Sequence, residues 1–479
     1  MRAPFAICLR RATLLAAAVC ALGCGDAEPP YVPDSVGVAP ARCLVVVLDA
    51  AAASHFAYSG YARQTTPRLD ALVAERGVLF TNAHGNTASV LPAAISAMTG
   101  QYLMGPAVST PRYRMPAHAT TYLDAFRRAG FATAAFSENP LIVEEFGLRG
   151  EFDAWKYFPG IRTIESQWPR PRNHPATKQM LGAARSWIKR HKGTSWLAYV
   201  HIMRPHSPYF ASRPYEAIYT ERRYNWTTGR MAEVNVRLAG AKVKPQLLRY
   251  FTDLYDENLT SADAHVMDLI EDLEAKGVLD DTLIVITSGH GEAFLEHGHL
   301  YHDVSVYEEV TRVPLIFLPP KGLEIAAGSV DERVELVDLF PTLVDLFRLE
   351  RPKGLPGRSL VPLMRGSAVP NDRMTIAQTA DARRFAFTRG GRKLILHVAP
   401  GETAPSGYEL YDLAADPGEQ HDLAKTGQDD PPLRRLGEAH IQRTLAQRSR
   451  PNPPLTEDQH YELEILGYLE LRREKSRGF

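Results

Sequence analysis

Cysteine is nearly absent from the body of this 479-residue chain: Cys8, Cys20 and Cys24 lie at its start, and only Cys43 follows. That excludes an intramolecular disulfide framework and a cysteine metal site in the folded part. Cys43 opens an apolar strand and is expected to be a small buried residue. An excess of one charge is lacking too. Lys plus Arg number 55 and Asp plus Glu 55, so no net field recruits nucleic acid or an acidic membrane, and a small or carbohydrate-like ligand suits the chain better. With 45% hydrophobic and 23% charged residues, the chain can bury one large core, or a large and a small one.

Arg2, Arg10 and Arg11 precede the apolar run Leu14 to Leu22, which is too short for a permanent membrane helix. Residues 1–24 therefore read as an export signal. Ala21-Leu22-Gly23-Cys24 resembles a bacterial lipobox, which implies a lipid on Cys24 and a periplasmic, outer-membrane or cell-surface lipoprotein. Ordinary signal cleavage nearby is the alternative. Any membrane contact is expected only through that lipid. Residues 25–41 are rich in proline and read as a linker.

The body starts near Arg42. Leu44 to Leu48 is a continuous apolar run ending at Asp49, the pattern of a parallel strand buried on both faces. The signature recurs at Trp196 to His201, Thr282 to Thr287 and Val313 to Leu318. Helical periodicity lies between, at Pro67 to Arg76, Thr120 to Ala129, Lys178 to Lys192 and Ser261 to Lys276. This alternation predicts an α/β fold, a doubly wound mixed sheet flanked by helices over 42–370, with its site at the carboxyl ends of the strands. Asp49, His201 to His206 and Ser288 to Glu292 should gather there. Residues 371–479 change pattern, with short strands at Phe385 to Thr388 and Lys393 to His397 and helices at Pro432 to Ser449 and Glu457 to Lys475. They read as a small C-terminal α+β subdomain.

Several segments carry a resemblance. Val45 to Asp49 with Tyr58-Ser59-Gly60-Tyr61, Thr66-Pro67-Arg68-Leu69-Asp70, Gly77 to Ala83 and Pro92 to Gly100 stand in order. Pro205-His206-Ser207-Pro208-Tyr209, Ser288 to Glu292, Glu296-His297-Gly298, Tyr307 to Pro314, Asp338 to Leu343, Glu409 to Leu413 and Asp416 to Glu419 follow. Together they resemble the sulfatase family of the alkaline phosphatase superfamily. The resemblance implies an alkaline-phosphatase-like fold and hydrolysis of sulfuric or phosphoric esters. It also implies a formylglycine or threonine nucleophile and a divalent cation, Ca²⁺ by family likeness.

Against that pattern, several positions depart. Counting back from Pro92, the nucleophile position is Val90, which has no atom to attack with. Ala94 replaces the arginine of the modification motif, so no formylglycine is expected. Ala50 and Gly289 stand at metal positions, leaving Asp49 and His290 as metal ligands. His206 resembles the histidine that faces the ester oxygen or leaving group, with Arg204 adding positive charge beside it. Asn139 stands where the family has a lysine-bearing segment.

Two rescues are legible. Ser89 or Thr87, just before Val90, could serve as a substitute nucleophile, or could merely cap the turn. His290, Glu292, Glu296, His297, His299, His302 and Asp303 hold enough donors for Zn²⁺, or are remnants and loop histidines. Lys321 and Lys393 read as solvated lysines. Two functions remain open: an ester hydrolase of weak or no activity, or a non-catalytic relative binding an anionic glycan or a partner. The ligand in either case is a sulfated or other anionic glycan or a small ester.

Overall fold

The computed structural model describes residues 37–102, 115, 119–142, 148, 152–159, 175–209, 211, 213–220, 242–368 and 372–445. The signal and Cys24, most of the linker, and the helix expected at Glu457 to Lys475 lie outside them. The described residues belong to one compact unit, Val36–Phe479.

A nine-stranded mixed sheet forms the body. Its strands are β1 (Arg42–Asp49), β2 (Val78–His84), β3 (Ala132–Ser137), β4 (Ala154–Tyr157), β5 (Trp196–Pro205), β6 (Thr282–Thr287), β9 (Arg312–Leu318), β10 (Gly328–Val330) and β11 (Val334–Glu335). A small hairpin, β7 (Ala293–Phe294) and β8 (Leu300–Tyr301), stands apart from it. The order across the sheet is β10-β2-β9-β6-β1-β5-β3-β4, with β11 also on β2. Only β9 runs against its neighbours. β1 is central and fully flanked, paired in parallel with β5 and β6, which is why it reads as unbroken apolar sequence.

Helices cover both faces. On one side α1 (Pro67–Arg76), α4 (Pro175–Arg190) and the 31-residue α5 (Pro245–Ala275) pack on the sheet and on each other. On the other lie α2 (Val90–Thr99), α3 (Tyr122–Arg128) and α7 (Leu339–Leu346). Proline at the first turn of α1 and the Thr121–Asp124 capping box of α3 fix their starts. α5 begins some four turns before the expected Ser261. Its early turns bury Asp253, Asp256, Glu257 and Asn258, which meet Arg63, His55, Thr220 and the Pro205 carbonyl.

The C-terminal part is a four-stranded antiparallel sheet, β12 (Thr375–Gln378), β13 (Arg384–Arg389), β14 (Arg392–Val398) and β15 (Pro405–Asp412), covered by α9 (Pro431–Leu445). Its strands alternate as a pleat requires. Phe385, Phe387, Leu394 and Leu396 share a core with Leu433 and Ile441 of α9, while Ala386 and Ile395 turn to Val306 and Tyr307 of the body. Cys43 is buried, as its strand position implies. Lys393 corrects an expectation: it is 1% exposed, and its ammonium meets Glu308 at 2.9 Å and Glu419 at 2.8 Å. Glu308 is 85 residues away in sequence and Glu419 lies beyond the next strand, so nothing local announced them. Lys321 is solvated, at 83% side-chain exposure.

Candidate active site

The carboxyl ends of β1, β3, β5 and β6 share one edge, and Asp49 is its centre. The carboxylate is buried. His201 Nε2 stands 3.2 Å from one oxygen, His290 Nε2 3.6 Å from the other, and the Asn139 amide donates to it. Burial alone would raise the Asp49 pKa. The His201 hydrogen bond and the attraction of the imidazoles gathered around it outweigh that and hold the carboxyl well below its usual range.

His206 reaches this edge because its backbone N–H donates to the Asp49 carbonyl at 3.0 Å. Its ring lies 4.9 Å from that of His302, which lies 4.2 Å from that of His290. Burial pushes His206 down, with Asp49 opposing. His290 falls to about 3, first from burial and then from the His302 charge. Burial would lower His302 as well, but Glu292 at 2.8 Å and Asp303 raise it to about 9. His302 is therefore a buried imidazolium at neutral pH. Glu292 is anchored on its other oxygen by the Tyr209 hydroxyl at 3.0 Å.

Val90 opens α2 and lines a cavity of about 20 Å³ together with Asp49, His201, Ser288 and Gly289. That is room for one water. At Gly289 a side chain meets α2 itself: a Cβ there would lie 2.9 Å from the Ala93 Cβ. Ala50 takes a left-handed backbone, φ 59°, its carbonyl accepting from the Tyr255 hydroxyl at 2.8 Å.

These residues do not fit the calcium ion that the sequence implied. Ca²⁺ takes six to eight oxygens. Asp49 offers one carboxylate, Ala50 and Gly289 offer no side-chain donor, and Asn139 turns its amide nitrogen to Asp49 while its oxygen accepts from the Leu141 N–H at 2.8 Å. His290 donates from Nδ1 to the Gly291 carbonyl at 2.9 Å, so its Nε2 lone pair faces the Asp49 carboxylate. Two acceptors this close ask for a proton or a cation between them.

The histidine-rich stretch does not converge. His290, His302 and Glu292 form a chain of contacts leading from Asp49, and Asp303 meets Ser89, whereas His297 pairs with Glu309 at 2.8 Å and stacks on Tyr307. Glu296 accepts the Phe294 N–H. Among the described residues no three His, Cys, Asp or Glu side chains form a group able to hold a metal.

The two substitute nucleophiles part company. Ser89, at the N-cap of α2 but not capping it, donates its hydroxyl to the Asp303 carboxylate. Asp303 itself sits at φ 77°, its carboxyl raised by burial with His302 opposing. Thr87 is drawn away to the C-terminal sheet, bridged to Gln378. Arg204 also departs from expectation. Its guanidinium turns to Thr177 of α4 at 2.6 Å, beside Glu138, so its charge serves the helix layer rather than His206. The Asn139 bond to Asp49 and the Tyr209 anchor escaped the sequence reading, because neither residue has a charge or spacing that marks it.

The family model described as Sulfatase matches residues 42–349. The chain belongs to the sulfatase family. A second model, N-sulphoglucosamine sulphohydrolase, C-terminal, matches residues 296–445. The ulvan-active sulfatase of Formosa agariphila is 24% identical over 389 residues, 76% of this chain and 73% of that protein. The delta 4,5-hexuronate-2-O-sulfatase of Bacteroides thetaiotaomicron is 33% identical over 153 residues, 30% and 31%. Arylsulfatase K of Xenopus laevis is 29% identical over 192 residues, and the match spans only 34% of that protein and 37% of this chain. Among solved structures, the phosphonate monoester hydrolase of Agrobacterium radiobacter has a TM-score of 0.68 at 22% identity, covering 84% of this chain and 94% of that one. A structure described in complex with its substrate D-glucosamine-2-N,6-O-disulfate has 0.66 at 21%, covering 84% and 97%. At these identities the structures speak for the fold.

Proposed function

We propose that this sulfatase-family protein binds a sulfated or otherwise anionic glycan at the carboxyl edge of the sheet, over the residues that gather around Asp49, without hydrolysing it. What carries the reading is the approach of Ala93 to Gly289: the place of a metal-holding carboxylate is closed by the helix whose first residue, Val90, has no nucleophilic atom. The His302 imidazolium supplies positive charge for the ligand, and neutral His206 supplies a hydrogen bond. The sulfated substrates in the relatives' printed names point to the same ligand class.

Calorimetry with a sulfated disaccharide tests this. Binding should be indifferent to Ca²⁺ and to chelator, and His302→Gln should weaken it about tenfold. Binding that needs added metal would contradict it, as would none at all.

A second reading rests on Ser89 and Asp303. The Ser89 oxygen attacks sulfur or phosphorus as its proton passes to Asp303. The S–O or P–O bond to the alcohol breaks, the leaving oxygen taking that proton. Water, losing a proton to Asp303, then cleaves the serine ester, and that proton returns to the Ser89 oxygen. Aryl ester turnover abolished by Ser89→Ala favours this reading over the first. Export with a lipid on Cys24 belongs to the same proposal: the mature protein should fractionate with membranes, and Cys24→Ala should release it.

A further inference from the structure

The groups at the carboxyl edge lie beneath a surface segment. Asp49 and His206 are 2% exposed and His290 0%, so a glycan meets them only after something moves. Between the buried Phe294 and Ser305, residues 295–304 run along the surface, with Val304 42% exposed and His302 alone turned in. The His302 ring lies 4.2 Å from that of His290 and 4.9 Å from that of His206. The segment is therefore the outer layer over this edge.

Its own structure holds it weakly. Leu295, Tyr301 and Asp303 take φ of 73°, 67° and 77°, the left-handed region that disfavours every side chain but glycine's hydrogen. The hairpin at its root has strands of two residues each. What closes the segment comes from elsewhere. At the tip, His297 stands 2.8 Å from Glu309 and 2.9 Å from the Glu419 carbonyl. At the far end, the Asp303 N–H donates to the Ala88 carbonyl at 3.0 Å and the Ala380 N–H to the Asp303 carbonyl at 3.2 Å, while the Arg384 guanidinium donates to the Val304 carbonyl. Glu419, Ala380 and Arg384 all belong to the C-terminal part. Strained backbone, little pairing of its own and remote ties mark a segment that opens well before the sheet unfolds. We propose that residues 295–304 form a lid over the Asp49 edge, latched by the C-terminal subdomain, and that the ligand enters when it lifts. The entry step rests on the reading of that edge as a glycan site, whereas the lid's motion is measurable without ligand.

Hydrogen exchange read by mass spectrometry on the ligand-free protein tests it. The protected amides of 295–304 should exchange by local opening, well ahead of those of β1 and β6. Arg384→Ala, at the latch, should speed them about tenfold, with β1, β6 and the urea midpoint unchanged. Leu295→Asn, which places a residue tolerant of left-handed backbone at a strained position, should slow them about threefold. Stopped-flow association of a sulfated heparin disaccharide should quicken in Arg384→Ala by the same factor as exchange. Exchange of 295–304 only together with the whole sheet overturns the lid, as does exchange that neither variant alters. Association unchanged while exchange quickens overturns its part in entry. A lid that opens as stated in a protein that binds no disaccharide supports the lid and contradicts the glycan reading.

Discussion

The pocket around Asp49 and the seam around Lys393 are both buried and both built of ionisable side chains, yet they are wired in opposite ways. In the seam a lysine meets two carboxylates, of which Glu419 is raised to about 7 by burial, with Lys393 opposing. Lys393 lies between Glu308 and Glu419, and Arg333 adds a second cation to Glu308 at 3.1 Å. Glu308 is held well below its usual range; burial alone would raise it, but Arg333 and Lys393 prevail. This seam joins the C-terminal sheet to the body. In the pocket, Asp49 faces an amide and imidazoles instead, and the firm cation, His302, is committed first to Glu292. The difference teaches where each region's energy goes: the seam ties two parts of the structure together through charge pairs, while the pocket gives Asp49 weaker partners.

The largest expected effect follows from the seam. Lys393→Met should destabilise the protein by about 3–5 kcal/mol in urea titration, because it strands two carboxylates away from water. Adding Glu419→Gln should recover part of that loss. Asp49→Asn should cost less, about 1–3 kcal/mol. If Asp49→Asn costs more than Lys393→Met, the contrast between the regions fails.

Next comes the approach of helix and loop. Gly289→Ala should cost about 1–3 kcal/mol by pushing α2 outward. Gly289→Ala combined with Ala93→Gly should recover most of it, less about 1 kcal/mol for glycine in a helix. Equal stability of Gly289→Ala and wild type would mean that the pocket is looser than its geometry.

The smallest effect is on pH. His302 and His297 are both raised to about 9. Burial opposes that rise in both; Glu292 prevails at His302 and Glu309 at His297. Their contribution to stability is full below the unfolded value near 6.5 and is lost as pH rises through 9. His290, lowered to about 3, acts in reverse, contributing above about 6.5 and losing that as pH falls toward 3. Stability should therefore peak near neutrality. His302→Gln should flatten the alkaline limb, and a limb unchanged in that variant would show that the pocket holds no imidazolium.

Much of this was legible in the sequence. Asp49, His206, His290 and Val90 meet at one edge because apolar strands ending in a polar residue announce both the sheet and its carboxyl edge. Val90, singled out by its spacing from Pro92, lines the cavity beside Asp49. What stayed hidden depended on partners remote in sequence. Lys393 read as solvated because Glu308 and Glu419 are invisible from its neighbours. The helix was expected only from Ser261, because Asp253, Asp256 and Glu257 look like surface residues until Arg63, His55 and Thr220 are brought to them. By resemblance Gly289 stands where the family has a carboxylate. The approach of Ala93 to it was not legible, so placing a carboxylate there calls for Ala93→Gly as well.

The most direct test is a turnover assay on an aryl sulfate and an aryl phosphate. Wild-type protein should hydrolyse neither, while Val90→Thr, Gly289→Asp and Ala93→Gly together should gain metal-dependent activity of on the order of a hundredfold over wild type. Turnover by wild type that disappears in Ser89→Ala or Thr87→Ala would contradict the account.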